Sequence, residues 1–489
     1  MRFVRLAVCM IALGAATMAA ARVGELRFVP QPGVAHGGYS RGVAWGDADG
    51  DGDPDLFVAN GNRQRDLFYR NDGGTLVLQD SSSLRGEPSS SEAAAWIDFD
   101  EDGDLDLLVA NIDSQPGHLY RNDGSLSFTP LPEHPLVSEV SSSVGWCWAD
   151  FSGDGRLDAV LVRRNGHSHA LFVGAGRGQY RRASVPGLTD APSQGRACVA
   201  ADLDGDGRPD LAIVHAQAAN TLFRNDSGAL RRVDGPFSAG SRYSYGLSTA
   251  DHDEDGDLDL FVANIDGPNE LYRNDGGFLF TPVTRGPMVT DTAGATKGHA
   301  WGDLDADGHL DLYAANGTPR PAMHNWLYRG LGAGEYVRVA AGAATADADT
   351  SSGTALADAD GDGKLDIFVA NWGGGHDEDN VFYRNESPDT GRWIAFDLRA
   401  PSPNRYAIGA VVRVRTQERG TTRWQSRWLI TSTGYGSQSD SRLHFGLGSA
   451  ERVEEVEVRW PNGPSERHGA LAGGTAWHLA PGAAPRRAR

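Results

Sequence analysis

Apolar residues in this chain come in short strand-length runs, with no helical period sustained after the first twenty residues. DLFVAN at 55–60 and 259–264, DLLVAN at 106–111 and DIFVAN at 366–371 are each bounded by Asp- and Gly-rich stretches, the signature of buried strands between turns. The second copy shows the whole unit. SSSEAAAWID runs into an acidic loop, DLDLLVAN leaves it, GHLYRNDG follows, and SLSFTPL closes the unit. The Asn-Asp-Gly turn is a strong hairpin signal. It recurs as LFYRNDG from Leu67, LFRNDSG from Leu222, LYRNDGG from Leu271 and FYRNES from Phe382, and decays to ALFVGAG and LYRGLGAG in the third and sixth units.

The acidic loops open at Asp47, Asp98, Asp150, Asp202, Asp251, Asp303 and Asp358, a period of about fifty residues. Four antiparallel strands per unit, seven times, predict an all-β fold: a seven-bladed propeller. The seventh unit lacks a fourth strand after Asn385, whereas Leu26–Pro30 (LRFVP) matches LSFTP at 126–130. The N-terminal strand is therefore expected to complete the last blade and close the ring, which removes an open edge. Trp45, Trp96, Trp148 and Trp301 each stand two residues before a loop and are expected to pack between blades. The expected division is residues 1–21 as a signal peptide, 22–390 as the propeller, 391–481 as a small β-sandwich or barrel, and 482–489 as a disordered tail. Arg2 and Arg5, the apolar stretch Leu6 to Ala16 and Ala19-Ala20-Ala21 give the signal its three parts. Export follows, to a secreted, periplasmic or cell-surface location; a lipid anchor at Cys9 fits less well, because the apolar stretch continues past it.

Each loop reads D-x-D-x-D-G-x-x-D. Three carboxylates at alternate positions point at one centre if the backbone curls, and the glycine at position six permits the curl. The carbonyl of position seven and the Asp at position nine complete a shell of hard oxygens that suits Ca²⁺. The candidate ligands are Asp47, Asp49, Asp51, Asp53 and Asp55 in the first loop, and Asp98, Asp100, Asp102, Asp104 and Asp106 in the second. The third has Asp150, Ser152, Asp154, Arg156 and Asp158, and the fourth Asp202, Asp204, Asp206, Arg208 and Asp210. The fifth has Asp251, Asp253, Asp255, Asp257 and Asp259, the sixth Asp303, Asp305, Asp307, His309 and Asp311, and the seventh Asp358, Asp360, Asp362, Lys364 and Asp366. Position seven (Asp53, Asp104, Arg156, Arg208, Asp257, His309, Lys364) offers its backbone carbonyl. Up to seven calcium ions are expected, with the third site weakest because Ser152 brings no charge. An EF-hand is excluded, since position twelve is a strand valine (Val58, Val109, Val262) rather than a bidentate Glu.

Net charge is −20, which excludes nucleic acid as the expected partner. No segment after the signal is long and apolar enough to span a bilayer. Cys147 and Cys198 precede their loops by three and four residues. Alternation puts them on opposite strand faces, so buried thiols are favoured over a bridge. The face opposite the acidic loops collects His36, His299, His324, Asn325, Trp326, Trp372, His376, Asp377, Glu378, Asp379 and Asn380 from blades six, seven and one. They define an alternative reading: a secreted enzyme with a pocket at that face. Arg163, Arg164, His167 and His169 read as surface charge. No nucleophile triad, phosphate loop or cysteine zinc motif is present.

The units resemble the FG-GAP (VCBS-type) repeats of integrin α-subunit propellers. From Arg392 onward, AIGAVVRVRT, STGYGSQSD, RLHFGLG and VEVRWPNG resemble the ASPIC/UnbV domain in order. The combination is similar to the cartilage acidic protein family and its bacterial homologues. The resemblance implies a calcium-binding propeller that acts as an extracellular protein- or glycan-binding or adhesion module, with no catalytic residues assigned.

Overall fold

The computed structural model describes residues 26–488 apart from 35, 293, 318–322, 374–377, 389 and 419. The expected signal peptide lies outside the described residues. Each blade is four antiparallel strands, and the fourth and fifth blades join where Ala216 and Ala218 pair with Tyr243 and Arg242. In the first, Ser40–Gly46 pairs with Asp55–Asn60, which pairs with Leu67–Asp72, which pairs with Thr75–Leu78. The seventh sheet is Ser351–Ala357, Asp366–Asn371 and Val381–Asn385, finished by Phe28–Pro30. The register of that closure is Phe28 opposite Asn385, Val29 opposite Arg384 and Pro30 opposite Tyr383. The first strands stand side by side around a central channel, and Ser351–Ala357 returns to pack on Ser40–Gly46. Seven blades therefore form a closed ring.

The alternation of each first strand faces two neighbours, and the tryptophans fill the seams as expected. Trp45 packs on Phe368 and Phe382 of blade seven, and Trp96 on Phe68 of blade one. Trp45, Trp96 and Trp148 are fully buried, each contributing roughly 2–3 kcal/mol of apolar transfer.

The two cysteines are joined, which corrects the expectation of free thiols. Cys147 and Cys198 form a disulfide with Cα atoms 6.1 Å apart. They do lie on opposite faces of their own strands, but those strands belong to adjacent blades. The face of blade three that looks toward blade four is the reverse of the face that looks back. Opposite parity is thus what a bridge between neighbours requires, and both sulfurs sit in the same apolar seam with Val160, Leu171 and Ile213. The bridge closes a loop with a sequence separation of 51. Loop-closure entropy assigns it about 4 kcal/mol. Reductant is expected to lower the melting temperature of the wild type and to leave a Cys147→Ala/Cys198→Ala variant unmoved.

The C-terminal region is a sandwich of two four-stranded sheets. One has the order Leu443–Gly448, Arg392–Leu398, Thr475–Leu479, Arg486–Arg487; the other is Thr421–Trp428, Val411–Glu418, Glu455–Arg459, Ser465–His468. Ile394, Phe396, Val412, Val414, Phe445 and Val458 fill the space between them. The expected disordered tail is instead part of a sheet, because Arg486 and Arg487 pair with His478 and Trp477.

Candidate metal centres and the capped face

The acidic loops curl as their glycines allow. Position six has positive φ in all seven, from +87° at Gly363 to +107° at Gly103. A side-chain ladder holds the curl. The position-seven N–H donates to the position-five carboxylate in every loop, as Asp53 does to Asp51 at 2.9 Å and Arg208 to Asp206 at 3.0 Å. The position-nine Asp has a role the sequence did not disclose. Asp55 accepts from the Ala48 N–H at 3.0 Å through one oxygen and from the Asn71 N–H at 2.8 Å through the other. Asp106, Asp210, Asp259, Asp311 and Asp366 repeat the bracket, tying loop to third strand.

The turn asparagines also do more than turn. Asn122 donates its side-chain amide to the Ala48 carbonyl of the preceding blade, Asn225 to Phe151, Asn274 to Leu203, Asn385 to Leu304 and Asn71 to Ala359. Blades three and six carry Gly174 and Gly330 at that position and lose this staple. The repeated asparagine was the available signal.

Carboxylate oxygens converge within the loops. Asp47, Asp49 and Asp55 offer oxygens within 4.8 Å of one another, as do Asp98, Asp100 and Asp106, and Asp251, Asp253 and Asp255. Burial, reinforced by neighbouring carboxylates, pushes Asp47 up to about 6, Asp55 to about 8 and Asp106 to about 9. Asp202, Asp253, Asp303 and Asp358 each hold a buried Oδ1 with no hydrogen-bond donor. Crowded, desolvated, under-satisfied carboxylates fit a hard cation with oxygen ligands.

The loops differ in how far the protein itself satisfies them. The Asp150 carboxylate accepts from the N–H groups of Gly153, Asp154 and Gly155, from the Ser152 hydroxyl and from Asn462. Arg224 reaches Asp204 at 2.7 Å, and Arg329 reaches Asp305 at 2.5 Å. His252 reaches Asp259 at 2.5 Å and Arg384 reaches Asp360 at 3.3 Å, so loops three to seven are partly neutralised from within.

The C-terminal sandwich sits on this loop face. Tyr406 donates to the Gly103 carbonyl at 3.1 Å, Arg459 to Asp202 at 2.7 Å, the Gly446 N–H to Asp303 at 3.0 Å, and Arg442 to the Asp358 carbonyl at 3.0 Å. His444 meets the Gly363 carbonyl at 2.8 Å. Between strands Thr421–Trp428 and Leu443–Gly448 the chain leaves the sandwich and enters the channel. There it pairs with the inner edges of the blades, whose backbone groups have no strand beyond them. Trp45 N–H donates to the Gln438 carbonyl at 3.0 Å, and Gln438 N–H to Val43 at 2.8 Å. Leu247 N–H donates to Gly434 at 3.0 Å, and Asp440 N–H to Leu356 at 3.0 Å. The Gln438 amide brackets both backbone groups of Trp96.

This plug explains the TGYGSQSD motif. Gly434 has φ +56°, and a Cβ there would lie 2.4 Å from the His299 carbonyl oxygen. Gly434→Ala is expected to cost about 2 kcal/mol or more and to speed proteolytic cleavage within 429–442. Gly469→Ala, where a Cβ meets nothing within 4 Å, is the neutral control.

The histidines proposed for a catalytic pocket are not gathered into one. His299 is fully buried on the channel wall, its Nε2 2.7 Å from the Ser248 hydroxyl and its ring against Phe261. His324 is exposed on a two-residue strand, and His36 is exposed beside Tyr69. His376 and Asp377 lie outside the described residues. Arg163 and His169, read as surface charge, are buried; His169 meets Ser193, and Arg164 pairs with buried Glu92 at 3.5 Å.

Comparison with known proteins agrees with the motifs. Residues 47–109, 98–161, 150–213, 202–262, 251–314 and 303–369 match the FG-GAP-like repeat, and residues 400–486 match ASPIC and UnbV. Cartilage acidic protein 1 from Mus musculus and from Homo sapiens are each 25% identical over 214 residues, 40% of this chain and 32% of theirs. The chain thus spans about a third of the length of the curated relatives it matches. Among solved structures, the BP39L lectin from Burkholderia pseudomallei gives a TM-score of 0.47 at 14% identity, covering 71% of this chain and 96% of that one. Chaetomium thermophilum Raptor gives 0.44 at 12%, covering 74% and 30%.

Proposed function

The chain belongs to the FG-GAP-like repeat family, and on that premise we propose that it is an exported binding module. Its propeller is stabilised by calcium, and its C-terminal domain seals the metal-loop face. The face opposite the loops receives an extracellular protein or glycan. One observation carries this reading: the sandwich occupies the acidic-loop side, so the uncovered loops between blades are the ones left for a partner, and such loops on a rigid scaffold are where binding usually resides. No helix among the described residues is long and apolar enough to cross a membrane.

Calcium in this reading is structural. The carboxylates of Asp47, Asp49, Asp51 and Asp55, and their counterparts in the other loops, would hold it, and it would supply the positive charge that those buried oxygens lack. The disulfide supports export, since such bonds persist in oxidising compartments.

The test is binding of the intact protein to arrays of extracellular glycans and secreted proteins. A variant bearing acidic substitutions on the opposite-face loops is run alongside, together with a variant substituted on the sandwich. Loss in the first variant alone is expected. Loss only in the second would move the site to the cap.

A further inference from the structure

Six positions before its acidic loop, the first strand of each blade carries Arg41, Glu92, Val144, Arg196, Tyr245, Lys297 and Ser352 in ring order, with Val144 turned into the seam beside Cys147 and Val160. They form one level at the channel end opposite the acidic loops, closed from within by the plug's Tyr435. We propose that this mouth is a binding site for the carboxylate group of a small organic acid, held by Arg196 and Lys297.

The ring already holds one carboxylate. Glu92 has no exposed surface, and it is paired with Arg41 at 3.3 Å and Arg164 at 3.5 Å and hydrogen-bonded by the Tyr435 hydroxyl. That arrangement uses two of four cations; the others feel the Glu92 charge, and Lys297 also that of Glu378, without a direct ion pair to either among the described residues. Arg196 is 7% exposed, and its Nε and Nη1 have no acceptor. It lies over the Tyr245 ring, 4.7 Å from the centroid. Lys297 is 6% exposed and forms no ion pair among the described residues. Its ammonium rests 4.4 Å from the centre of the Trp372 ring, which Arg41 also approaches at 5.1 Å.

Stacking on aromatic rings recovers only part of what burying a charge costs. Burial, and then the Arg41 charge, pulls Lys297 down to about 7. A chain of net charge −20 that gathers four cations against two carboxylates, Glu92 and Glu378, at a single channel mouth has built a local field for an anion. A planar carboxylate suits the remaining pair, because Arg196 keeps its Nε–H and Nη1–H donors free while Nη2 reaches the Tyr243 hydroxyl at 3.5 Å. Tyr245 and Trp372 supply flat apolar walls for the carbon skeleton of the ligand.

The inference rests on the proposed function only in assigning a ligand to the same open face. The experiment is titration calorimetry on the full chain with succinate and with glucuronate, using glucose and sulfate as controls. At least one acid is expected to bind saturably at one site per chain, and glucose is not. Lys297→Met and Arg196→Gln are each expected to weaken it by roughly tenfold or more. Lys297→Met should keep or raise the melting temperature, since it removes an unpaired buried charge; a merely structural lysine would instead show a loss. Tighter glucuronate assigns a sugar acid, and tighter succinate a simple dicarboxylic acid. The proposal is overturned if neither acid saturates, if both variants bind as the wild type does, or if sulfate competes as strongly as the acids. Should the arrays find a partner on this face while the acids fail, the site assignment falls and the binding-module reading stands; if both fail, both fall.

Discussion

Chelation of calcium is expected to lower the melting temperature of the mature protein by roughly ten degrees or more. A ligand bound only by the folded state stabilises it by about 2.7 kcal/mol per site at a hundredfold excess over Kd. Two strong sites would give about 5 kcal/mol, a large share of ordinary domain stability. The size of the effect follows from the loops themselves. Without a cation, Asp47, Asp55 and Asp106 are driven up by burial, so the folded state bears the cost of crowding their oxygens. The sites should not be equal. Loops one and two bring three carboxylate oxygens together with no ion pair to them among the described residues, and should fill first. Loop three, where Asp150 accepts from Ser152, Gly153, Asp154, Gly155 and Asn462, should fill last. Elemental analysis beside the thermal scan decides both points. An unchanged melting curve in excess chelator, with no bound calcium, would remove the structural role.

Deletion of residues 22–32 is the second large effect. The strand Phe28–Pro30 is the outer strand of blade seven, and Leu26 and Phe28 are 3% and 1% exposed. Phe28 packs with Tyr313, Leu327 and Tyr383, so its loss empties a seam shared by blades six and seven. Two buried apolar side chains contribute about 2–3 kcal/mol each, and the unpaired edge of Val381–Asn385 becomes a template for aggregation. The truncated chain is expected to melt far below the wild type or to aggregate. Phe28→Ala alone should cost about 3–5 kcal/mol, measured by denaturant unfolding. Equal stability of the truncated chain would show that blade seven holds together without it.

Much of this architecture is written locally. The loop pattern, the asparagine turn and the strand-length runs recur at one period, so blade number and the identity of the closing strand could be read from Leu26–Pro30 and the missing fourth strand after Asn385. Alternation put the tryptophans in the seams for the same reason: period two fixes which side of a strand a residue faces. What alternation cannot fix is which neighbour lies on that side. The parity that argued against pairing Cys147 with Cys198 within one sheet is the parity that joins them across two. The bracketing by Asp55 and its equivalents, and the staple made by Asn122, were visible as repeated letters, but their partners lie on other strands or in the preceding blade.

The sequence by itself determined a closed all-β ring of repeats, its acidic loops and a separate C-terminal module, because those depend on periodicity and turn chemistry within tens of residues. Only the tertiary structure decided that this module caps the acidic loops, that TGYGSQSD fills the channel, and that Arg41, Glu92, Arg196 and Lys297 share one level. Residues about fifty positions apart meet there because the ring folds each repeat onto a common axis, and no local pattern records distance from that axis.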